Sequence, residues 1–311
     1  VVNAVRVERI LAPNPSPMTL EGTNSYLIFD GSGAAVAIDP GPADAGHIER
    51  IASTAQTHGA TITAIAVTHG HPDHAPGAAL LHERTRAPVH AHRTASFPVD
   101  VPCGEGDRIT AGDARLDVIE APGHTRDHLV FSLASNAALF TGDVIVGRGT
   151  IVIAPPHGDM RDYQATLERL RSDFANVGVI YGGHGDAIFE PRAKFDEYIE
   201  HRKKRERELL AVLATSERTV PELVETIYAA VSPVLWPAAA RQLVAYLIAL
   251  EREGRVFARS LGRTPTESES AILNPDLSRI VDPETAAIAR AELGYDRDIV
   301  DIEAYALAPT H

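Results

Sequence analysis

The 311-residue sequence predicts a layered α/β fold followed by a smaller module of helices and a short strand. Three observations carry that expectation. Up to about residue 200, short apolar runs alternate with helical segments, as they do where helices flank sheets. From about Pro191 the apolar runs give way to charged helical segments. Several of the early runs also end in turns that carry His or Asp beside glycine.

The elements follow in order. Tyr26-Leu27-Ile28-Phe29 and Ala34-Ala35-Val36-Ala37-Ile38-Asp39 read as strands separated by a Gly-Ser-Gly turn. Residues 45–58 have amphipathic helical spacing, and Ile62-Thr63-Ala64-Ile65-Ala66-Val67 reads as a buried strand. Apolar runs at 116–119, 129–133 and 137–140 make the middle rich in sheet. Residues 161–174 are helical, and Val177-Gly178-Val179-Ile180-Tyr181 leads into Gly182-Gly183-His184-Gly185.

Residues 192–215 lack strong breakers and read as one long helix. It contains the densest basic run of the chain, His201-Arg202-Lys203-Lys204-Arg205. Residues 220–231 and 237–252 are helical by spacing, and Gly254-Arg255-Val256-Phe257-Ala258 reads as a short hairpin strand. Helices followed by a β-wing suggest a winged helix, a helix-turn-helix variant. From residue 261, four Arg face ten Asp or Glu, a balance of 4 − 10 = −6. That stretch reads as an appended acidic tail, partly helical near 283–293. The expected organisation is therefore 1–200, 201–260 and 261–311.

Composition narrows the function classes. A formal net charge of −13 disfavours non-specific attraction to polyanions, although it leaves room for a local basic patch. There is no run of about eighteen apolar residues, so no membrane span is expected. The N-terminus shows no basic segment followed by an apolar core, which argues against a retained signal peptide and favours a cytoplasmic location. Cys103 is the only cysteine, so no internal disulfide forms and any metal is held by His and carboxylates. Cys103 sits in a Pro-Cys-Gly loop away from every motif and reads as structural or incidental. A homo-oligomer is compatible with the sequence, but no feature points to one.

The densest chemistry lies in His69-Gly70-His71-Pro72-Asp73-His74, directly after the 62–67 strand. Six residues there offer four side chains that can hold a metal. A histidine-rich surface loop would explain one or two of them, but explains four spaced ligands poorly. His124 follows Ala121-Pro122-Gly123, Asp143 follows Thr141-Gly142, and His184 follows Gly182-Gly183. Each comes after a strand and a glycine turn, so separate segments can aim ligands at one point.

In Thr68-His69-Gly70-His71-Pro72-Asp73-His74, Pro122-Gly123-His124-Thr125, Thr141-Gly142-Asp143 and Gly182-Gly183-His184-Gly185, the chain resembles the metallo-β-lactamase superfamily. The resemblance covers roughly the first 190 residues. It implies an αββα sandwich with metals at one edge. One metal would take His69, His71 and His124, and the second Asp73, His74 and His184, with Asp143 bridging both. Asp73 and Asp143 would be the catalytic carboxylates. The family implies two zinc ions; a donor set of imidazole and carboxylate without thiolate suits zinc and leaves iron or manganese open. A hydroxide held between two dications would form near neutral pH and attack a carbonyl carbon or phosphorus, with no Ser or Cys nucleophile. The resemblance also gives Asp39 the position of an acid that orients a ligand histidine. It places His128 as a second histidine near the site. Arg126-Asp127 departs from the usual Gly-His-Thr-Pro-Gly-His and adds charge at the rim. His157, in the loop after Asp143, is a candidate substrate contact with solvation as its plainer reading.

Asp143 narrows the substrate. Antibiotic-hydrolysing members generally lack this bridging aspartate, whereas glyoxalase II-like and nuclease-like members have it. Ala193 to Arg202, Glu206 to Leu210, Thr219-Val220-Pro221-Glu222-Leu223-Val224 and Leu250 to Val256 look like the winged-helix extension of the β-lactamase-like protein 2 group, which includes an endoribonuclease acting on single-stranded RNA. The resemblance thus points to an endoribonuclease-like phosphodiesterase. The alternative is a hydrolase of a small thioester, lactone or other ester, with at most promiscuous β-lactamase activity. An acyl hydrolase suits the acidic charge better, since the basic run also reads as a solvated helix face paired with Glu200, Glu206 and Glu208. A mononuclear iron oxygenase and a non-catalytic winged-helix binding protein stand behind these two.

Overall fold

The computed structural model describes residues 5–277, 286, 290, 293–295 and 299–308. The chain divides into two compact units, Val1–Ile151 with Thr166–Asp196, and Val152–Ala165 with Glu197–His311.

The first unit is built on two sheets. One has six strands in sequence order: β1 (Arg6–Leu11), β2 (Asn24–Phe29), β3 (Ala34–Ile38), β4 (Thr61–Ala66), β5 (Val89–His92) and β6 (Val101–Cys103). β1 to β3 are antiparallel, and β3 to β6 run parallel. Parallel neighbours need crossovers. Helices α1 (Ala45–Thr57) and α2 (Gly77–Thr85) provide two of them. The second sheet contains β7 (Arg108–Ala111), β8 (Ala114–Glu120), β9 (Leu129–Leu133), β10 (Ala138–Gly142) and β11 (Val179–Gly182), in the order β11-β10-β9-β8-β7. Cys103 closes the edge strand β6 and is buried, so it belongs to a strand and not to the loop expected for it.

Alternation along the strands makes the layers. In β2, Leu27 and Phe29 join Ile48, Ile51 and Ala55 of α1 and Leu81 of α2 in one apolar core. Tyr26 and Ile28 face the other way, into a core shared with Leu116, Val118, Phe131 and Phe140 of the second sheet. A strand covered on both faces reads as an unbroken apolar run, which is the pattern seen at 26–29. Full burial of such a side chain contributes about 1.5–3 kcal/mol. The outward residues Ile119, Val130 and Leu139 of the second sheet are buried as well. Helix α3 (Met160–Asp173) lies against this sheet: Thr166 Oγ1 donates to Pro122 O across 2.7 Å and the Arg169 guanidinium to Glu120 O. Helix, sheet, sheet and helix are thus stacked in the expected αββα order.

The second unit takes in the later part of α4 (Pro191–Leu213), then β12 (Arg218–Thr219), α5 (Val220–Ile227), α6 (Trp236–Arg252), β13 (Val256–Ser260), α7 (Glu267–Leu273) and β14 (Glu303–Leu307). Thr219 and Glu222 form a reciprocal capping box that starts α5. Pro233–Arg252 is long and apolar enough to cross a membrane by length and composition, but most of it is buried within the protein.

The wing differs from expectation. β13 does not pair with a neighbouring hairpin strand; it pairs antiparallel with β14, which also pairs with β12. The stretch from residue 261 is therefore not an appended tail, because Ala304 and Tyr305 are buried in the central strand of this sheet. The boundary at 200 also shifts, since residues 152–165 join the second unit. The helix expected near 283–293 falls largely outside the described residues.

Candidate metal centre

Strand direction brings the chemistry to one edge. β3 and β4 are parallel, as are β10 and β11, and β8 and β10 both run antiparallel to β9. Asp39 follows β3, the His69–His74 loop follows β4, His124 follows β8, Asp143 follows β10 and His184 follows β11. His128 immediately precedes the oppositely directed β9, so it lies near the same end.

All seven candidate ligands converge. His69, His71 and His124 form one group, and Asp73, His74 and His184 form another. His69, His74 and Asp143 form a third that links them. Within each group the donor atoms lie within 4.8 Å of one another. His124 Nε2 is 3.0 Å from His71 Nδ1. Asp73 Oδ2 is 3.3 Å from both His74 Nε2 and His184 Nε2. Asp143 spans the groups: Oδ2 is 3.4 Å from His184 Nε2 and 3.8 Å from His124 Nε2, and Oδ1 is 3.5 Å from His74 Nε2. Asp143 thus lies within reach of a histidine from each group.

Hydrogen bonds behind the ligands fix their orientation. Asp39 Oδ1 accepts the Thr68 backbone N–H, and Oδ2 accepts the Thr68 hydroxyl, both across 2.7 Å. Asp39 Oδ2 also accepts from His74 Nδ1 at 2.9 Å, which leaves His74 Nε2 facing the cluster. With its proton given to Asp39, Thr68 Oγ1 can accept from His69 Nδ1 at 3.0 Å, turning His69 Nε2 inward. Thr23 Oγ1 donates to Asp73 Oδ2 at 3.0 Å. His128 Nε2 accepts the backbone N–H of Asp143 across 3.1 Å, so His128 secures the bridging residue's backbone. Asn24 Nδ2 and Tyr26 OH donate to Gly182 O, holding the turn that carries His184.

Two glycines leave the room this packing needs. A Cβ on Gly183 would press on Asp143 Oδ1 and come within 2.7 Å of His74 Cε1. Gly142 adopts φ +46°, and a Cβ there would sit 2.6 Å from Thr68 Oγ1.

Electrostatics matches the geometry. Burial disfavours charge on His74, but Asp73, Asp143 and Asp39 outweigh it and hold its pKa well above the usual imidazole range. His184 is pushed up to about 10 in the same way: burial opposes the charge, and Asp143 and Asp73 prevail. Burial would raise Asp73, yet His74 and His184 keep it well below the usual carboxylate range. His69 and His71 are lowered, first by burial and then by neighbouring imidazoles. The carboxylates draw positive charge inward while His69 and His71 stay neutral, as metal ligands must.

These residues fit divalent metal. His69 Nε2, His74 Nε2 and Asp143 Oδ1 are buried and have no hydrogen-bond partner, so their lone pairs are available to a cation. His157 is exposed in the loop after Asp143 and is not among the grouped donors. Sequence reasoning assigned no role to Thr68, Thr23, Asn24 or Tyr26. Only Thr68 had a signal, as the hydroxyl between strand and first ligand.

Comparison with known proteins bears on family and fold. The model of the Metallo-beta-lactamase superfamily matches residues 18–98 and 94–184, and that of the Beta-lactamase associated winged helix domain matches 219–263. A Drosophila melanogaster protein named Beta-lactamase-like protein 2 homolog is 34% identical over 268 residues, covering 80% of this chain and 89% of its own. An Aspergillus fumigatus protein named Atrochrysone carboxyl ACP thioesterase is 30% identical over 239 residues, covering 72% and 73%. A solved metallo-beta-lactamase family protein from Thermus thermophilus superposes with a TM-score of 0.67 at 22% identity, covering 81% and 95%.

Proposed function

Because the chain belongs to the metallo-β-lactamase superfamily and carries its associated winged helix, we propose that it is a binuclear metallohydrolase acting on a small thioester or related acyl bond. The observation that carries the hydrolase reading is Asp143 standing between the two donor groups. In this reading His69, His71 and His124 hold one ion, Asp73, His74 and His184 the other, and Asp143 both. Zinc suits these donors best. Divalent ions bound there supply Lewis acidity and lower the pKa of water toward neutrality. In thioester hydrolysis water adds to the carbonyl carbon, the carbon–sulfur bond breaks, and the proton from water reaches the leaving sulfur. Asp73 and Asp143 are the carboxylates that would stay charged beside the reacting carbonyl and hold the ions in place. Thr23 steadies Asp73, and Asp39 and Thr68 keep His74 and His69 in the right tautomers.

Charge on α4 supports an acyl substrate over RNA. The basic charges are paired locally or buried: Arg207 pairs with Glu200, Arg205 and Lys204 with Glu208, and Arg202 is buried. Glu206 pairs instead with Arg161 and Arg255. Helix α6, the recognition helix in winged-helix order, buries most of its residues and offers little surface to a groove. The thioesterase name of the fungal relative supports the same choice. A phosphodiesterase acting on single-stranded RNA is the second reading, favoured by the presence of the winged helix itself. The lone buried cysteine suits a reducing, cytoplasmic setting.

The test is an assay of the purified protein and His69→Ala against a thioester, a lactone, a cephalosporin and single-stranded RNA. Thioester turnover that His69→Ala abolishes is expected. RNA cleavage that weakens steeply with salt, with no acyl hydrolysis, would replace this reading with the second.

A further inference from the structure

Among its described residues the second unit contains two buried arginines with different surroundings. Arg202 on α4 is provided for: its Nη1 donates to Gln242 Oε1 at 3.1 Å, and its guanidinium lies 5.0 Å from the Tyr163 ring. Arg241 on α6 is 9% exposed, and its Nε and Nη2 are buried with no hydrogen-bond partner. Its guanidinium lies over the Tyr295 ring, 4.3 Å from the centroid. Tyr295 is buried, and its hydroxyl faces the Arg241 guanidinium without completing a well-formed hydrogen bond to any group. Among the described residues no carboxylate pairs with Arg241. The adjacent Gln242 cannot serve it, because Oε1 already accepts from Ile153 N–H at 3.0 Å and from Arg202.

A guanidinium cannot shed its charge, and burying one without a counter-charge or hydrogen bonds is strongly unfavourable. Such a cost is tolerated where a ligand removes it. Two guanidinium nitrogens, with three N–H groups between them, and a phenol O–H gather more donors than the single phenol oxygen can accept, and the planar fork suits paired oxygens.

We propose that Arg241 and Tyr295 form an anion site, separate from the metal cluster, that takes the carboxylate or phosphate group of a small molecule. Arg241 provides charge and paired donors, and Tyr295 provides a stacking face and a third donor. The site does not depend on the acyl-hydrolase reading.

The experiment follows thermal unfolding of the metal-loaded full chain during separate titrations with sodium phosphate and sodium succinate at constant ionic strength. Wild type is expected to show a saturable rise in melting temperature with at least one of them. A response to phosphate alone or succinate alone identifies the group recognised. Arg241→Met removes the charge and keeps the length. It is expected to weaken the apparent affinity by about 100-fold, for the loss of two charge-assisted hydrogen bonds. Without added anion it should melt at or above the wild-type temperature, since an uncompensated buried charge has gone. Tyr295→Phe should weaken the anion effect by about three- to tenfold. If Arg241→Met does not fold, Arg241→Lys and Tyr295→Phe decide the matter. Lysine keeps the charge but loses the fork, so a weakened response is expected.

The proposal is overturned if neither anion stabilises wild type, or if the variants respond as wild type does. It is equally overturned if Arg241→Met melts several degrees lower without anion, which would mean that the chain provides its own counter-charge.

Discussion

Asp39 Oδ2 accepts a hydrogen bond from His74 Nδ1 across 2.9 Å, and this bond determines which nitrogen of His74 faces the cluster of His and Asp side chains. The same carboxylate holds the Thr68 amide and hydroxyl, and through Thr68 it reaches His69. One side chain at the end of β3 therefore sets two ligands, one in each donor group. Asp39→Asn removes the charge and cannot satisfy all three donors. Metal affinity should fall by about 10–100-fold, the usual effect of losing a residue that orients a ligand. Competition against a chelator of known affinity measures it, and an unchanged affinity would mean that the ligands are held by other means.

Gly183→Ala tests the packing around the bridge. The added methyl has to displace Asp143 Oδ1 and His74 Cε1, both buried. Hydrolytic activity should fall by at least about 100-fold, since misplacement near 1 Å costs that much. Circular dichroism should still report the folded spectrum. Wild-type turnover in this variant would show that Asp143 has freedom to move.

His47 links the site to pH. Arg50 Nη2 donates to His47 Nδ1 at 3.2 Å, His47 Nε2 meets Ser25 Oγ at 2.8 Å, and Ser25 donates to the Asp39 carbonyl. Burial first, then Arg50, pushes the His47 pKa down to about 4. An unfolded histidine titrates near 6.5, so unfolding takes up a proton between these values. Stability from neutral His47 is complete above about pH 6.5 and is lost as pH falls toward 4, on the order of 1–3 kcal/mol in all. Urea unfolding at pH 7 and pH 5 should show a larger decline for wild type than for His47→Gln. Equal declines would remove His47 from the pH response.

Much of the first unit was legible because its signals are local. The runs at 26–29, 34–39 and 62–67 fall on β2, β3 and β4, and the amphipathic 45–58 falls on α1. The gathering of the seven His and Asp side chains was legible because their segments each follow a strand. β5 and β6 were missed because three or four residues are too few for alternation to register. β14 was missed for a different reason. Its partner β13 lies more than forty residues earlier, and the many acids from residue 261 dominated a strand defined only by that distant pairing. Thr23, Asn24 and Tyr26 carry no motif, since their roles depend on Asp73 and Gly182, which only the fold brings near.

The proposed binuclear centre is tested most directly by elemental analysis of the purified wild-type chain. The bridging position of Asp143 between the two histidine-containing groups predicts close to two zinc ions per chain. One iron per chain and no zinc would contradict the binuclear hydrolase account.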